Sequence, residues 1–345
     1  MRINLKALND RELTEFVRTQ GLERFRKEQL IHWIYERAVR DLQDITVFSK
    51  SLRSALSETA FISNIELLKT AHSTDGTRKF LFRLEDGLSV ETVLIPDSSR
   101  LTLCVSSQVG CAMGCRFCLT GRVGFRRNLL PHEIVDQILA VQRLITPRRI
   151  TNIVFMGMGE PLKNLDNVAE ALRRITTWMG ISKRRITLST SGVVDGLMRL
   201  KGLASSVNIA ISLNATTNSV RDFLMPINRV YPIEELLKAC RHYPLEPRRR
   251  ITFEYILIKG INDTQEDAKR LARLLRGIRA KINLIPFNPF QGAEFERPDM
   301  ERVLRFQNIL IERGYTVIIR KSKGDDISAA CGQLRGEYEL QVSNL

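Results

Sequence analysis

Residues 104–121 read CVSSQVGCAMGCRFCLTG and contain four of the six cysteines of the chain. Three of them, Cys111, Cys115 and Cys118, follow the spacing C-x3-C-x2-C. Thiolates this close together can bind three irons of an iron–sulfur cluster, which usually takes four Cys ligands. Because a fourth ligand is missing, one iron stays open, and an open position lets a metal centre bind a substrate or cofactor. The stretch therefore predicts a cluster with one open iron.

Two other interpretations of this loop stay open at this point. The thiols are also compatible with a zinc site that takes a ligand from elsewhere, or with buried cysteines that bind no metal. Zinc sites usually combine C-x2-C pairs or add histidines. The loop contains no histidine, and the nearest one, His132, opens the next predicted helix.

From residue 101 onward, apolar segments alternate with amphipathic ones. The apolar segments predict strands, and start signals such as Pro131 with Glu133 predict helices between them. This rhythm is typical of an α/β fold with parallel strands under helices, either an open sheet or a full or partial barrel. The cysteine loop follows the first strand, where loops of such folds build sites. The predicted strands are 101–105, 152–156, 185–189, 207–213, 251–258, 282–286 and 315–320.

The first 98 residues have a different pattern of apolar residues and turn signals. Leu13, Phe16 and Val17 fall on one helix face, as expected for a small helical domain. Asp-Gly pairs at 75–76 and 86–87 are hairpin signals within short alternating segments. We therefore predict a helical accessory domain in residues 1–62, a β-rich connecting segment in 63–98 and an α/β domain in 99–345.

Composition narrows the class of protein. Of 345 residues, 43% are hydrophobic and 26% charged, which excludes disordered and fibrous classes. Lys and Arg outnumber Asp and Glu by 53 to 38, a net charge of +15 that favours a polyanionic partner such as nucleic acid. No apolar run approaches the roughly 20 residues of a membrane span, and residues 1–10 lack a signal-peptide core. We expect a cytoplasmic protein with reduced thiols.

A second motif follows the next predicted strand. Residues 152–162 read NIVFMGMGEPL, so Gly157 and Gly159 come directly after a buried strand and before Glu160. Glycine lets the backbone approach a ligand closely, and a carboxylate can bind an ammonium group by charge-assisted hydrogen bonds. Taken alone, the motif is better explained by an ordinary tight βα turn.

Together, the two motifs resemble the radical S-adenosylmethionine superfamily. The longer strings CVSSQVGC, GMGEPL, STSGVV, INLIPFNPF and GDDISAACGQLRG are similar to the RlmN/Cfr family of RNA adenine methyltransferases, over residues 91–335. This resemblance implies a partial (β/α)6 barrel with an N-terminal helical accessory domain. It also implies a 4Fe–4S cluster on Cys111, Cys115 and Cys118, and two S-adenosylmethionine molecules per turnover. The implied S-adenosylmethionine contacts are Gly159, Glu160, Ser191, Ser212, Leu213, Asn214 and Asn288.

The resemblance also assigns three catalytic residues. Cys331 is implied as the methyl carrier, which becomes S-methylcysteine, and Cys104 as the resolving thiol that forms a disulfide with it. Glu91 is implied as the proton acceptor. Adenine C2 is electron-poor and has no nucleophilic lone pair, which explains why a radical route would be needed. The remaining thiol, Cys240, is expected to be a small core residue.

The family implies two RNA targets. They are an adenosine in the peptidyl transferase centre of 23S rRNA and the adenosine 3′ of the anticodon in tRNA. An electron donor such as flavodoxin or ferredoxin is implied, and we expect a monomer with no membrane partner. The alternative within the family is methylation at adenine C8. Pro161 favours C2, because the C8 branch has Ala at this position.

Two further alternatives lie outside the family. One is a radical S-adenosylmethionine enzyme with a small-molecule or peptide substrate, and the other is a zinc-dependent RNA-binding protein. One departure from the family pattern bears on the site, since this chain has Ser212-Leu213-Asn214 where Ser-Leu-His is common. Basic runs at 122–127, 148–149, 183–185 and 248–250 would form an RNA footprint only if they converge on the mouth of the site.

Overall fold

A computed structural model of the chain describes residues 2–204 and 207–336, and the last nine residues of the predicted α/β domain lie outside these ranges. The strands are β1 (Ile3–Asn4), β2 (Ala60–Phe61), β3 (Glu66–His72), β4 (Arg78–Arg83), β5 (Ser89–Asp97), β6 (Arg100–Cys104), β7 (Gln108–Gly110), β8 (Phe125–Asn128), β9 (Asn152–Phe155), β10 (Ile186–Thr190), β11 (Asn208–Ser212), β12 (Ile251–Leu257), β13 (Ala280–Pro286) and β14 (Val317–Ile319).

The helices connect or cover these strands. The α-helices are α1 (Asp10–Thr19), α2 (Phe25–Ile31), α3 (Lys50–Thr59), α4 (Leu119–Val123), α5 (Pro131–Ile145), α6 (Leu165–Thr177), α7 (Val194–Ala204), α8 (Asn218–Leu224), α9 (Ile233–His242), α10 (Gln265–Leu274) and α11 (Met300–Ile311). A π-helical turn, His32–Glu36, extends α2, and short 3-10 turns lie at Leu42–Asp44, Pro161–Asn164, Lys183–Arg185, Pro226–Arg229 and Asp325–Ile327. None of the described helices is both long and apolar enough to span a bilayer.

One ten-stranded sheet organises the molecule, in the order β14-β13-β12-β11-β10-β9-β6-β5-β4-β3. Neighbours from β6 through β9 to β14 are parallel, and helices occupy every connection between them. Six β/α units therefore precede β14. Because β14 and β3 form opposite edges of the sheet, the barrel is partial, which confirms the predicted fold.

The parallel strands are apolar because helices cover the sheet. In β11, Ile209, Ala210 and Ile211 are all buried in succession, without the alternation of a strand that has one wet face. The longest helix, α5, buries eleven of its fifteen residues between the sheet and the N-terminal region. Every predicted parallel strand is present, with ends that differ by a few residues.

The N-terminal helices pack on α5 and α6. In α1, Leu13, Phe16 and Val17 are buried as predicted. Lys6, which is fully buried, pairs with the Asp136 carboxylate of α5. Ser63 also donates to Asp136, at 3.4 Å, so the pair has the extra hydrogen bond that a buried charge requires. The helical region is thus joined to the barrel by a polar network.

The β-rich segment continues the same sheet. Strands β3, β4 and β5 pair antiparallel with one another, and β5 pairs antiparallel with β6. The two Asp-Gly pairs occupy the turns between these strands, as predicted, and Gly76 and Gly87 both have positive φ. Because the sheet is continuous across residue 98, the proposed boundaries at 62 and 98 stay predictions.

Candidate active site

A cavity lies at the carboxyl ends of the parallel strands. Its volume is about 160 Å³. The predicted residues that line it are Cys111, Cys115, Cys118, Gly159, Glu160, Ser191, Ser212, Asn214 and Cys331. The fold therefore brings together residues from five separate loops or strand ends.

A short hairpin shapes the cysteine loop. Strand β7 pairs with β8, and the three thiols lie between β7 and α4. Gly110 has φ +71°, and a Cβ there would lie 1.8 Å from the Gly124 carbonyl oxygen. The close approach lets the Cys111 N–H donate to that oxygen at 2.8 Å. Only glycine at 110 permits this closure of the loop.

The chemistry of the thiols fits a metal cluster. Burial raises the pKa of Cys111 to about 12 and raises the pKa of Cys115 and Cys118, and the neighbouring thiols add to the effect for Cys115. A bound metal supplies the positive charge that stabilises such thiolates. Within residues 2–204 and 207–336, no three His, Cys, Asp or Glu side chains converge as a ready-made site for a single metal ion.

Glu160 is buried beside the thiols, with 3% of its surface exposed. Its carboxylate accepts from the N–H of Leu162 at 3.0 Å and from the N–H of Ser191 at 2.7 Å. Burial nevertheless raises its pKa. The two backbone contacts fix the orientation of the carboxylate at the cavity wall.

The glycines of the GMGE turn serve packing. Gly159 has φ +99°, and a Cβ there would lie 2.5 Å from the Cβ of Gln108. A Cβ on Gly157 would lie 2.7 Å from the Val105 carbonyl oxygen. Both glycines therefore allow the turn to pack on the start of the cysteine loop, and both also line the cavity.

A buried arginine that the sequence did not indicate joins two strand ends. Arg221 is fully buried and donates to the carbonyls of Ser191 at 2.7 Å and Leu213 at 3.1 Å. It also lies 3.3 Å from the Ser212 carbonyl. Burial lowers its pKa to about 10. The Leu213 side chain is fully buried and does not line the cavity, so its place in the site is through its backbone.

Asn214 departs from the family pattern. Its φ of +57° is in the left-handed region, which asparagine tolerates better than most residues. Its side-chain oxygen accepts from the Ile256 N–H at 2.9 Å, and its amide lies 3.3 Å from the Met225 sulfur. The side chain thus joins two neighbouring segments while it lines the cavity.

The C-terminal loop places Cys331 at the mouth of the cavity. The Gly332 carbonyl accepts from the Leu119 N–H at 2.7 Å, next to Cys118. Asn288 donates to the Cys331 carbonyl at 3.1 Å, and it does not line the cavity. The structure therefore places Asn288 as a contact of the Cys331 loop.

Cys104 lies at the end of β6, buried behind the lining of the cavity. Burial, and then the Cys331 thiol, raise its pKa to about 12. Cys104 pairs with Val154 of β9, directly before the lining residues Phe155 and Met156, so it lies behind the wall of the cavity that Cys331 lines. Both are free thiols in this structure.

Two charged residues in the cavity were missed at the sequence level. The pKa of Arg320 is raised, mainly by the nearby Cys331 thiol and also by Glu254 and Cys104, although burial alone would lower it. Glu254 interrupts the apolar strand β12, and its Oε2 has no hydrogen-bond partner among the described residues. Two signals in the sequence could have indicated these residues. Glu254 is a charge inside an otherwise apolar strand, and Arg320 is a charge directly after the last parallel strand.

Glu91 is buried, with 1% of its surface exposed, and it is not part of the cavity lining. Its carboxylate pairs with Lys79 at 2.9 Å and accepts from the backbone N–H of Arg335 at 2.8 Å. The carboxylate is therefore covered by the segment that follows Cys331.

The basic runs do not converge on the mouth. Runs 148–149, 183–185 and 248–250 precede β9, β10 and β12, so they lie at the amino ends of the strands, opposite the cavity. Near the cysteine loop, Arg127 pairs with Asp86 at 2.6 Å and with Glu133 at 2.7 Å. Arg122 lies 3.3 Å from Glu294. These runs alone form no continuous footprint.

Comparison with known proteins agrees with the architecture. Residues 105–275 match the radical SAM superfamily, and residues 3–62 match the ribosomal RNA large subunit methyltransferase N-terminal domain. The chain is 54% identical to a dual-specificity RNA methyltransferase RlmN of Pelobacter propionicus, over 97% of this chain and 96% of that protein. It is 50% identical to its counterpart in Geotalea uraniireducens, over 99% of each.

A solved structure matches over nearly the whole chain. A radical SAM methyltransferase from Sphaerobacter thermophilus superposes with a TM-score of 0.92 at 45% identity, covering 97% of this chain and 100% of that one. The superfamily binds a 4Fe–4S cluster and S-adenosylmethionine, which are the cofactors of this protein. The chain therefore belongs to the RlmN/Cfr family of radical S-adenosylmethionine methyltransferases.

Proposed function

We propose that this enzyme methylates C2 of adenosine in 23S rRNA, at the peptidyl transferase centre, and in tRNA, 3′ of the anticodon. One observation carries the proposal: two thiols that are not needed to hold the cluster lie at the same cavity, Cys331 in its lining and Cys104 at the end of β6, behind the lining residues Phe155 and Met156. A radical enzyme that acts on a small molecule has no use for this second pair of thiols.

Cys111, Cys115 and Cys118 hold the cluster in this proposal. When bound, the cluster and S-adenosylmethionine supply a 5′-deoxyadenosyl radical, which is chemistry that protein side chains lack. Glu160 and the strand-end residues Ser191, Ser212 and Asn214 bind and orient S-adenosylmethionine along the cavity wall. The backbone of Leu213 and the side chain of Asn288 support this wall and the neighbouring loop.

Cys331 carries the methyl group. Its sulfur accepts a methyl from one S-adenosylmethionine, the S-methyl group then loses a hydrogen atom, and its carbon bonds to adenine C2. A second S-adenosylmethionine is consumed in that hydrogen abstraction. The enzyme and the RNA are covalently joined at this point.

Cys104 releases the RNA. Its thiolate attacks the Cys331 sulfur, so an S–S bond forms while the S–C bond breaks, and the released carbon takes a proton to become the methyl group. Glu91 accepts the C2 proton, after the segment that covers its carboxylate has moved, and the unpaired electron of the adduct would return to the oxidised cluster. An external reductant then restores both thiols.

The substrate must present an accessible base. C2 faces the minor groove of a paired helix, so we propose that the enzyme binds adenosine in unstacked RNA. The N-terminal helical domain contributes to RNA binding, in line with its match to a ribosomal RNA methyltransferase domain. We also propose a cytoplasmic monomer that takes electrons from a flavodoxin or ferredoxin.

Analysis of the product tests the position of methylation. We expect 2-methyladenosine as the methylated product when anaerobic enzyme, reductant and S-adenosylmethionine act on 23S rRNA or tRNA. Pro161, which is buried at the cavity wall, is the residue that favours C2 over C8. Mass spectrometry of the digested RNA separates the isomers against synthetic standards, and a product that is only 8-methyladenosine would overturn the proposal.

A further inference from the structure

The β-rich segment holds the Cys331 loop on both sides of the cysteine. Lys79 of β4 donates from Nζ to the Ser328 carbonyl at 3.1 Å, three residues before Cys331. Glu91 of β5 accepts through Oε2 from the N–H of Arg335 at 2.8 Å and of Gly336 at 3.3 Å. These donors lie four and five residues after Cys331.

The same two side chains form an ion pair with each other. Lys79 Nζ lies 2.9 Å from Glu91 Oε1, and the two side chains are 9% and 2% exposed. In the strand register, Lys79 is opposite Val93, so Glu91 is its diagonal neighbour on the same face of the sheet. The pair thus forms one buried unit between the sheet and the loop.

A buried ion pair stabilises a protein only when further hydrogen bonds satisfy its charges. Besides the contact between Lys79 and Glu91, the hydrogen bonds of these two side chains go to backbone groups on either side of Cys331. Strands β4 and β5 already pair by their backbones from Arg78 to Arg83, so the sheet itself does not depend on this ion pair. The Lys79–Glu91 ion pair is therefore stabilising only while the Cys331 loop stays in the position that supplies these hydrogen bonds.

The turn between β3 and β4 adds two more contacts, at the start of this loop. The Ser73 hydroxyl donates to Asp326 at 2.6 Å, and the Gly324 N–H donates to Asp75 at 3.2 Å. Both contacts involve residues that precede Ser328 in the sequence. The β-rich segment thus holds the loop along its length.

We propose that the buried Lys79–Glu91 pair is a clamp that positions the Cys331 thiol for reaction with Cys104, which makes Lys79 a positioning residue. This inference rests on the proposed function, in which these two thiols form a disulfide. It gives Glu91 a role in holding the loop in addition to proton acceptance.

The Lys79→Met variant tests the clamp. Holoenzyme is equilibrated anaerobically in glutathione buffers of graded potential, and the Cys104–Cys331 disulfide is quantified by alkylation and peptide mass spectrometry. Because a looser loop lowers the effective concentration of one thiol at the other, we expect the equilibrium constant for disulfide formation to fall about tenfold, or about 30 mV. Lys79→Arg, which keeps the charge and the donors, should restore most of it.

Two further variants make the result specific. Arg78→Met removes a positive charge from the adjacent position of β4, whose side chain points to the other face, and should leave the equilibrium unchanged. Lys79→Met combined with Glu91→Leu leaves no unpaired buried charge, so it should fold and show the same loss.

The outcomes separate the clamp from the proposed function. If the wild-type enzyme forms no disulfide between these cysteines at any potential, the proposed function is wrong. If the wild-type disulfide forms and the Lys79→Met value equals or exceeds it, the clamp is wrong. A tenfold loss in Lys79→Met but not in Arg78→Met supports the clamp.

Discussion

We expect the Cys104→Ala variant to accumulate a covalent adduct between the protein and its RNA. The variant keeps the cluster ligands and Cys331, so the S-methyl carbon still bonds to the base. Without the Cys104 thiolate, nothing attacks the Cys331 sulfur, and release stops. Denaturing gel electrophoresis with labelled RNA should show most of the active enzyme in a slowly migrating band, and methylated RNA should fall to background.

Matched cysteine variants define this result. Cys331→Ala should give neither adduct nor product, because the methyl carrier is gone. Cys240→Ala removes a buried thiol of α9 and should keep near wild-type product formation without accumulation of adduct. Failure of Cys104→Ala to form any adduct, with its iron content intact, would rule out the thiol pathway. Full activity of Cys331→Ala would instead favour a different substrate class.

The second large effect concerns the cluster. We expect Cys115→Ser to lose iron binding, production of 5′-deoxyadenosine and RNA methylation together, because three thiolates are the minimum set available in this loop. The loss of iron binding is measured by visible absorption and iron analysis after anaerobic reconstitution with iron and sulfide. Chromatography measures 5′-deoxyadenosine, and mass spectrometry of the digested RNA measures methylation.

This experiment also tests the zinc alternative. Wild-type protein should acquire the absorption of an iron–sulfur cluster, and the Cys115→Ser protein should not. Thermal unfolding of both metal-free proteins provides the control, since the substitution is nearly isosteric and should leave the fold in place. Wild-type protein that binds zinc tightly but takes up no iron–sulfur cluster would contradict the assignment.

The sequence predicted the parts of the site that are local in the chain. The C-x3-C-x2-C spacing places three thiols in one loop, and the βα rhythm places that loop at the carboxyl ends of the strands. Resemblance to the family then supplied Cys104 and Cys331. The structure places Cys331 in the cavity lining and Cys104 behind that lining, although 227 residues separate them along the chain.

Other features depended on contacts that no local pattern encodes. Glu91 meets the backbone of Arg335 across 244 residues, and Asn288 meets Cys331 across 43. Arg221 lies in the short helix α8 and is fully buried against two strand ends. Such contacts follow from tertiary packing, which overrides the usual exposure of charged residues.

The basic runs illustrate the opposite case. Three of them precede strands, and residues before parallel strands lie at the edge of the sheet away from the site. The strand order alone was therefore enough to separate runs 148–149, 183–185 and 248–250 from the cavity mouth. Charge density along the sequence was a poor guide because it ignores this topological rule.

The most direct test of the account is to follow the methyl group with S-adenosylmethionine that carries a fully deuterated methyl. If Cys331 carries the methyl and loses one hydrogen atom before transfer, the adenosine product will carry two deuterium atoms in its new methyl group. The 5′-deoxyadenosine will then carry the third. A product with all three deuterium atoms would mean direct transfer from S-adenosylmethionine to RNA and would contradict the account.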